Sequence, residues 1–269
     1  MDEMNDIKEM KGMGNMLRML QTIDAFFPIG AFTLSNGLED YVAAERISST
    51  ADLEEYLTGF LQIFPYNDLG IAALAWQYGA GQSEAEQSEA EQSETEQSET
   101  EQSETEQSEA ERNRENIIRL DGLVNAIKGA REARTGSIRL CSRYLKAREA
   151  MEDCRGLLGW YQEKIREKAA VGFHPIAVGL YGASIGMDQA QVLAMYGYSA
   201  ISAIVNNGVK LVPLSQMEGQ RALLRQMDRL EEAVRQAMEV TEDDLGVSGA
   251  GYEIHAMNHE YLYSRQYMS

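Results

Sequence analysis

Apolar residues recur at helical spacing through most of this chain, and the clearest stripe follows Ser49. Its members fall at positions i, i+3, i+4, i+7, i+8 and i+11: Leu53, Tyr56, Leu57, Phe60, Leu61 and Phe64. This spacing places all six on one face of a helix. Ser49 and Asp52 supply a capping signal at its start, and Pro65 ends it. Burying each large apolar side chain contributes about 1.5–3 kcal/mol, so the face must pack against another element.

The same period continues on both sides of a polar tract at 82–111. Before the tract, Asp68 begins a short predicted helix. The inward-facing residues of this helix and of those after the tract are Leu69, Ala72, Ala73, Trp76, Ile117, Leu120, Leu123, Val124, Ile127, Tyr144, Leu145, Leu157, Leu158, Tyr161 and Ile165. No alternating strand pattern and no Asn-Gly hairpin signal accompanies them. The pattern therefore predicts an all-α domain of about ten helices.

Capping residues mark the helices of the C-terminal part. Asp188 with Gln191 opens a long helix that is expected to end at a left-handed stop in 206–208. Ser215 with Glu218 has the spacing of a capping box. The helix that follows carries the stripe Leu223, Met227, Leu230, Val234 and Met238.

The segment 174–186 is apolar and rich in small side chains. Pro175 suits the first turn of a helix, where its missing N–H is not needed. Gly179, Gly182 and Ala183 would let a neighbouring helix approach closely. We interpret the segment as a central buried helix, with a subunit contact as the alternative.

The tract 82–111 consists of six pentads of the form Q-S-E-[AT]-E. It has no large apolar side chain whose burial could offset the entropy of ordering it. A period of five keeps no helical face, and neighbouring glutamates repel one another, although Glu, Gln and Ala favour helix. The sequence predicts disorder or a fragile solvated helix. A cation-collecting arm is the alternative, but carboxylates alone suit nickel poorly.

The charge of the chain is concentrated in that tract. The formal net charge is −19, and the tract holds twelve Glu and no Lys or Arg, which leaves 31 acidic and 24 basic residues elsewhere, or −7. No basic patch predicts nucleic-acid binding, and no apolar run reaches the roughly 18 residues of a membrane span. Two cysteines, Cys141 and Cys154, without a signal peptide favour a reduced, cytoplasmic setting. We expect 1–15 to be a loose arm and 16–269 to form the single domain.

The segment 27–39 is the most informative one. Pro28 fixes its own φ and should end the preceding helix, and Gly30 gives the following turn its freedom. Asn36 with Glu39 has capping-box spacing. The sequence predicts a helix–elbow–helix whose elbow displays three side chains: Phe27, Ile29 and Phe32. An ordinary buried turn is the alternative.

This elbow is the first of four segments that match known motifs. It has the pattern P-x-G-x-F-x-x-S-x-G-L-E. The others are Gly172-Phe173-His174-Pro175 with Gly179, Lys210-Leu211-Val212-Pro213-Leu214-Ser215-Gln216, and Met257-Asn258-His259-Glu260 through Arg265 to Ser269. In this order they resemble the urease accessory protein UreF family over residues 16 to 269, apart from the pentads. Leu34 stands where many relatives have a histidine, so a role of that imidazole is not carried over.

Residues able to carry chemistry are few. There is no P-loop, nucleophile elbow, H-E-x-x-H or C-x-x-C motif. His174 is interpreted as a hydrogen-bonded structural histidine, with a ligand role as the alternative. His255 and His259 are four residues apart and could share a metal on a helix, although such a pair is more often incidental.

Two further charged or aromatic segments have open interpretations. Arg131-Glu132-Ala133-Arg134 is favoured as an internal salt-bridge network, with a contact to a GTPase as the alternative. The C-terminal tail 252–269 is rich in the residue types enriched at interface centres, namely Tyr, Met and Arg. Such a tail should dock on its own domain or await a partner, and we favour the partner.

The resemblance implies an accessory factor for urease maturation. Such proteins are all-α homodimers that bind a UreD/UreH-type scaffold, and together they recruit a UreG-type GTPase that delivers nickel to apo-urease. No catalysis, cofactor or bound metal is expected of this chain. Partner binding is assigned to Phe27, Pro28, Ile29, Gly30, Phe32, Ser35, Glu39, His259, Glu260, Tyr263 and Arg265 for the scaffold, and to Lys210 for the GTPase. The alternatives are a small all-α metal-dependent enzyme and a helical adaptor unrelated to urease.

Overall fold

The computed structural model describes residues 2–92, 100–151, 154 and 156–267, with the side chains of 2–9, 11, 81–92 and 100–108 left aside. Over these residues it contains α-helices and short 3-10 turns and no strand, which confirms the all-α prediction. The helices are α1 Asp2–Ile23, α2 Leu38–Ala43, α3 Thr50–Ile63, α4 Asp68–Gln92, α5 Thr100–Ile127, α6 Arg131–Met151, α7 Gly156–Arg166, α8 His174–Ser184, α9 Gln189–Leu211, α10 Gln216–Arg225, α11 Met227–Glu239 and α12 Ala250–Asn258. The 3-10 turns are Ala31–Thr33, Phe64–Tyr66, Glu242–Asp244 and His259–Tyr261.

Helix α8 lies at the centre of the domain and packs mainly against α4, α6 and α7. Every residue from His174 to Ala183 is buried, and Pro175 occupies the first turn as predicted. A Cβ added at Gly179 would clash with the carbonyl oxygen of Ala72 on α4. The central buried helix is confirmed, and α8 is not available as a subunit contact.

Helix α3 confirms the prediction made from its stripe and its cap. The hydroxyl of Ser49 accepts from the Asp52 N–H at 3.3 Å, and the Asp52 carboxylate accepts from the Ser49 N–H at 2.9 Å. All six residues of the stripe are buried. Pro65 lies in the 3-10 turn that follows the helix.

Two predicted helix ends in the C-terminal part are wrong. Helix α9 runs to Leu211, past the expected stop, because Gly208 is a packing position where a Cβ would lie 2.9 Å from a methyl group of Leu53. The stripe that begins at Leu223 is divided between α10 and α11 at the buried Gln226. The Asp188 cap and the capping box of Ser215 with Glu218 are present as predicted.

The acidic tract and the N-terminal segment are helical where they are described. Helix α4, expected to be short, continues into the tract as far as Gln92, and α5 begins inside it at Thr100. The pentad residues 93–99 lie outside the described residues. Residues 2–15, expected to form a loose arm, belong to α1, and the amide of Asn15 contacts the carbonyl of Ile185. The separation of arm, tract and domain stays a prediction.

Candidate partner-binding site

The elbow between α1 and α2 buries two of the side chains that it was expected to display. Phe27 and Ile29 are only 5% and 3% exposed, and the Phe27 ring lies 5.9 Å from the ring of Tyr144. The prediction that they are displayed is therefore wrong for this protomer. Phe32 is 44% exposed as expected, and Phe26, which the pattern did not single out, is 95% exposed.

The backbone of the elbow depends on two glycines in the left-handed region. Gly30 has φ 79°, and Gly37 has φ 81° at the start of α2. A Cβ at Gly37 would lie 3.0 Å from the Ala256 nitrogen, so α12 packs directly on this turn. Pro28 and Leu34 are exposed and half-buried respectively, whereas Ser35 is buried without a hydrogen-bond partner for its hydroxyl among the described residues.

The predicted capping box of Asn36 with Glu39 is wrong. No side chain caps α2, whose N-cap is Gly37. The carboxylate of Glu39 turns instead toward the C-terminal tail, where its Oε2 lies 2.9 Å from Nε2 of His259. A sequence motif that looked like a local helix signal is therefore a contact between residues 220 positions apart.

His259 joins the elbow to α6 and to the tail. Its side chain is 1% exposed, and its Nδ1 lies 2.6 Å from Oε2 of Glu132. The other oxygen of Glu132 accepts from Arg265 at 2.7 Å. Glu39 also accepts from the backbone N–H groups of Gln266 at 2.8 Å and Tyr267 at 3.1 Å. We call Glu39, Glu132, His259 and Arg265 the tail cluster.

Glu132 is the residue of the tail cluster that was not assigned to a site. Its signal lay in the charged run that the sequence indicated as a salt-bridge network, and the structure confirms that network. Arg131 and Glu260 lie 3.8 Å apart at its exposed rim, and Arg134 donates to the Lys128 carbonyl at 2.8 Å. Exposed pairs such as the first contribute little, about 0–1 kcal/mol.

The two histidines of α12 and the turn after it do not form a metal pair. His255 lies 2.6 Å from Asp40 and stacks on Tyr41 with ring centroids 3.6 Å apart, while His259 has its own carboxylates. In the part of the chain that the structure describes, no group of three His, Cys, Asp or Glu side chains could hold a metal ion.

The tail is docked on its own domain as far as His259, so the expectation that it awaits a partner is wrong for α12. Tyr252 packs among Tyr41, Tyr56 and Phe60, and its hydroxyl donates to the Tyr56 carbonyl at 2.5 Å. Burial raises the pKa of this hydroxyl. Beyond the cluster the aromatic side chains face outward: Tyr261 is 85% and Tyr263 is 105% exposed.

The remaining predicted residues lie elsewhere. Lys210 is exposed in the last turn of α9 and takes no part in the tail cluster. His174 is a buried core histidine as predicted, with a pKa lowered to about 4 by burial. Its Nε2 has no hydrogen-bond partner among the described residues, and the ring lines an internal cavity of about 60 Å³ together with Asp68 and Ser199.

Comparison with known proteins decides the family. A family model described as UreF matches residues 47–227. The chain belongs to the UreF family. That match includes the motifs at 172–179 and 210–216, whereas the elbow and the tail cluster's C-terminal residues lie outside it.

Individual relatives match over nearly their whole length. A urease accessory protein UreF from Actinobacillus pleuropneumoniae serotype 5b (strain L20) is 34% identical over 258 residues, which cover 96% of this chain and 100% of the relative. The Haemophilus influenzae (strain ATCC 51907 / DSM 11121 / KW20 / Rd) protein of that name is 35% identical over 252 residues, or 93% of this chain and 94% of the relative. The Streptococcus salivarius (strain 57.I) protein is 28% identical over 253 residues, with 94% of each covered.

These UreF relatives are named as accessory proteins rather than enzymes, which confirms the expectation that this chain is not an enzyme. Among the described residues, no helix combines the length and apolar character required to cross a membrane.

Proposed function

We propose that this urease accessory protein binds a UreD/UreH-type scaffold and with it recruits a UreG-type GTPase for nickel insertion into apo-urease. The observation that carries the proposal is the pair Tyr261 and Tyr263, which are almost fully exposed on a segment held from beneath by the buried tail cluster. Exposed aromatics on a fixed backbone bind tightly, because little conformational entropy is lost when the partner docks. The protein acts by ordering a complex and makes or breaks no bond itself.

The elbow contributes to the same proposed surface. Glu39 connects it to the tail, and Phe26, Pro28 and Phe32 are exposed on it. Phe27, Ile29, Gly30 and Ser35 act from below in this proposal, by fixing the course of the backbone. We assign the GTPase contact to Lys210, an exposed cation at the end of α9.

A homodimer is the second part of the proposal, and we place it on the face shared by α1 and α9. Leu20, Phe32 and Tyr198 line one groove of about 250 Å³ there, and the exposed apolar residues around it on α1 are Met13, Met16 and Leu17. Asp24 is the one charged residue that lines this groove. A nearly uncharged apolar face suits a second copy of the same face better than a charged partner. We place the assembly in the cytoplasm, where its two free cysteines stay reduced.

The test replaces only the exposed aromatics. Deleting 252–269 would also remove Tyr252 and Ala256, which pack on the domain. The double variant Tyr261→Ala and Tyr263→Ala removes no buried contact, so its free energy of unfolding should stay within about 0.5 kcal/mol of the parent. We expect capture by an immobilised UreD/UreH-type scaffold to weaken at least about tenfold.

The matched control replaces two equally exposed apolar residues on α10, Met217 and Leu224, which are 60% and 70% exposed. The Met217→Ala and Leu224→Ala double variant should bind the scaffold as the parent does. Undiminished scaffold capture by the tyrosine double variant would contradict the proposed surface.

A further inference from the structure

We propose that His259 is a protonation-dependent latch, which holds the segment 262–267 on the domain while its imidazole carries both ring protons and loosens it as pH rises. Tyr263 lies on that segment, between His259 and the attachment points at Arg265, Gln266 and Tyr267. The latch is a property of this chain alone. Its meaning for partner binding rests on the proposed function.

The hydrogen bonds of His259 decide its charge in the docked state. Both ring nitrogens lie on carboxylate oxygens, Nε2 on Glu39 at 2.9 Å and Nδ1 on Glu132 at 2.6 Å. An ionised carboxylate only accepts hydrogen bonds, so each nitrogen must donate. Glu39 receives two backbone N–H groups besides, from Gln266 and Tyr267. A carboxylate that accepts from three N–H donors is held in its ionised form. The docked geometry therefore requires the imidazolium.

Loss of that proton changes the balance of charge around the tail. In the docked state the negative Glu39 and Glu132 face the positive His259 and Arg265, and the four charges cancel. The neighbouring groups are the Arg131 and Glu260 pair at the rim and, on α2 and α12, Asp40 with His255. A neutral His259 leaves one carboxylate uncompensated at a side chain that is 1% exposed. It also turns a ring lone pair toward an acceptor, which is unfavourable in a buried site.

The sign follows from linkage. The docked state binds a proton at His259 that the free segment holds less firmly, so docking weakens as pH rises through the titration of the imidazole. The segment 262–267 is attached by few other contacts: Tyr263 is fully exposed, and Arg265 is 44% exposed where it contacts Glu132. The amides of Gln266 and Tyr267 depend on Glu39, whose position depends on His259.

The experiment uses the full chain with ¹⁵N-labelled histidine and backbone. Long-range ¹H–¹⁵N spectra report the protonation of each ring, and the chain has only three histidines to assign. We expect His259 to be doubly protonated near pH 6 and to lose a proton on titration to about pH 8.5. Over the same midpoint, the amide protection factors of Gln266 and Tyr267 should fall at least about tenfold. His174 serves as the internal control, because its pKa is lowered to about 4 and its spectrum should not change in this window.

Two variants separate the latch from general instability. His259→Gln keeps a donor but cannot titrate, so its Gln266 and Tyr267 protection should be independent of pH. His255→Gln removes the neighbouring pair with Asp40 and should keep the pH dependence of the parent. A singly protonated His259 at pH 6 in the parent protein overturns the latch. So does protection that ignores pH while His259 titrates, or a pH dependence that disappears in His255→Gln.

Scaffold capture at about pH 6 and pH 8.5 then separates the two proposals. If the latch controls the partner surface, the parent's affinity should differ between the two pH values at least about threefold more than that of His259→Gln. If His259 titrates as expected but the Tyr261→Ala and Tyr263→Ala variant still binds the scaffold fully, the proposed surface is wrong and the latch stands.

Discussion

Buried polar side chains at the residue scale keep their charges or lone pairs inside this helical domain in different ways. His259 lies between two carboxylates. Asp121, 1% exposed, accepts from the Tyr161 hydroxyl at 2.6 Å and from the Gly172 N–H at 2.9 Å. His174 has no charge partner and stays neutral, because burial lowers its pKa to about 4. Each solution reflects the cost of an uncompensated charge in a site of low polarity.

His174 should make the free energy of unfolding depend on pH. Its folded pKa of about 4 lies below the unfolded value of about 6.5, so the unfolded chain binds the proton first as pH falls. Its contribution is complete above pH 6.5 and should be lost at about 1 kcal/mol per pH unit below it. Urea unfolding of the parent and of His174→Gln at pH 7.0 and pH 5.5 measures this. An equal loss in both proteins would show that other groups cause it.

Close contact between helices at the element scale depends on glycines that face backbone or branched side chains. Gly179 on α8 faces the Ala72 carbonyl of α4, and a Cβ there would also lie 2.9 Å from that of Ala75. A Cβ at Gly182 would lie 2.5 Å from a methyl group of Val192 on α9. The centre of the domain is therefore set by residues without side chains, which explains the small-residue composition of α8.

Replacing Gly179 should be severe, because neither a backbone carbonyl nor a packed helix can move aside cheaply. We expect Gly179→Ala to lower the free energy of unfolding by about 2–3 kcal/mol, as overpacked cores do. Gly122→Ala on the exposed side of α5, where nothing lies within 4 Å, should instead raise it by about 0.5–1 kcal/mol through helix propensity. Chemical denaturation of both variants compares them, and a stable Gly179→Ala protein would contradict the close approach of α4 and α8.

Two surfaces at the scale of the whole molecule carry separate parts of the proposed assembly. The tail cluster and the elbow bring Tyr261 and Tyr263 outward, while α1 and α9 present an apolar face. An exposed apolar patch of this kind usually marks an interaction site. Separate surfaces allow a dimer to bind one scaffold per protomer at the same time.

The homodimer proposal predicts that a charge on the α1 face separates the copies. Leu17, 58% exposed, can accept a polar side chain without loss of packing, so Leu17→Asp should keep its helicity and unfolding free energy. Its sedimentation mass should fall to that of one chain at concentrations where the parent is dimeric. Leu224→Asp, at a site 70% exposed on α10, is the control and should remain dimeric. A dimeric Leu17→Asp protein would place the contact elsewhere.

The sequence by itself determined the helical class, the buried stripe of α3, the central α8 and the capping boxes at Ser49 and Ser215, because these depend on contacts within about four residues. It also contained the motifs that indicated the family.

Only the tertiary structure decided that Phe27 and Ile29 face inward, that Gly208 continues a helix, and that Glu39 and Glu132 hold His259. The sequence separations across this cluster are 220 and 127 residues. Local periodicity cannot report which carboxylate meets which imidazole at such a distance, because that choice depends on how whole helices pack. The physical reason is that capping energies act within a turn, whereas the burial of a charge is determined by every element around it.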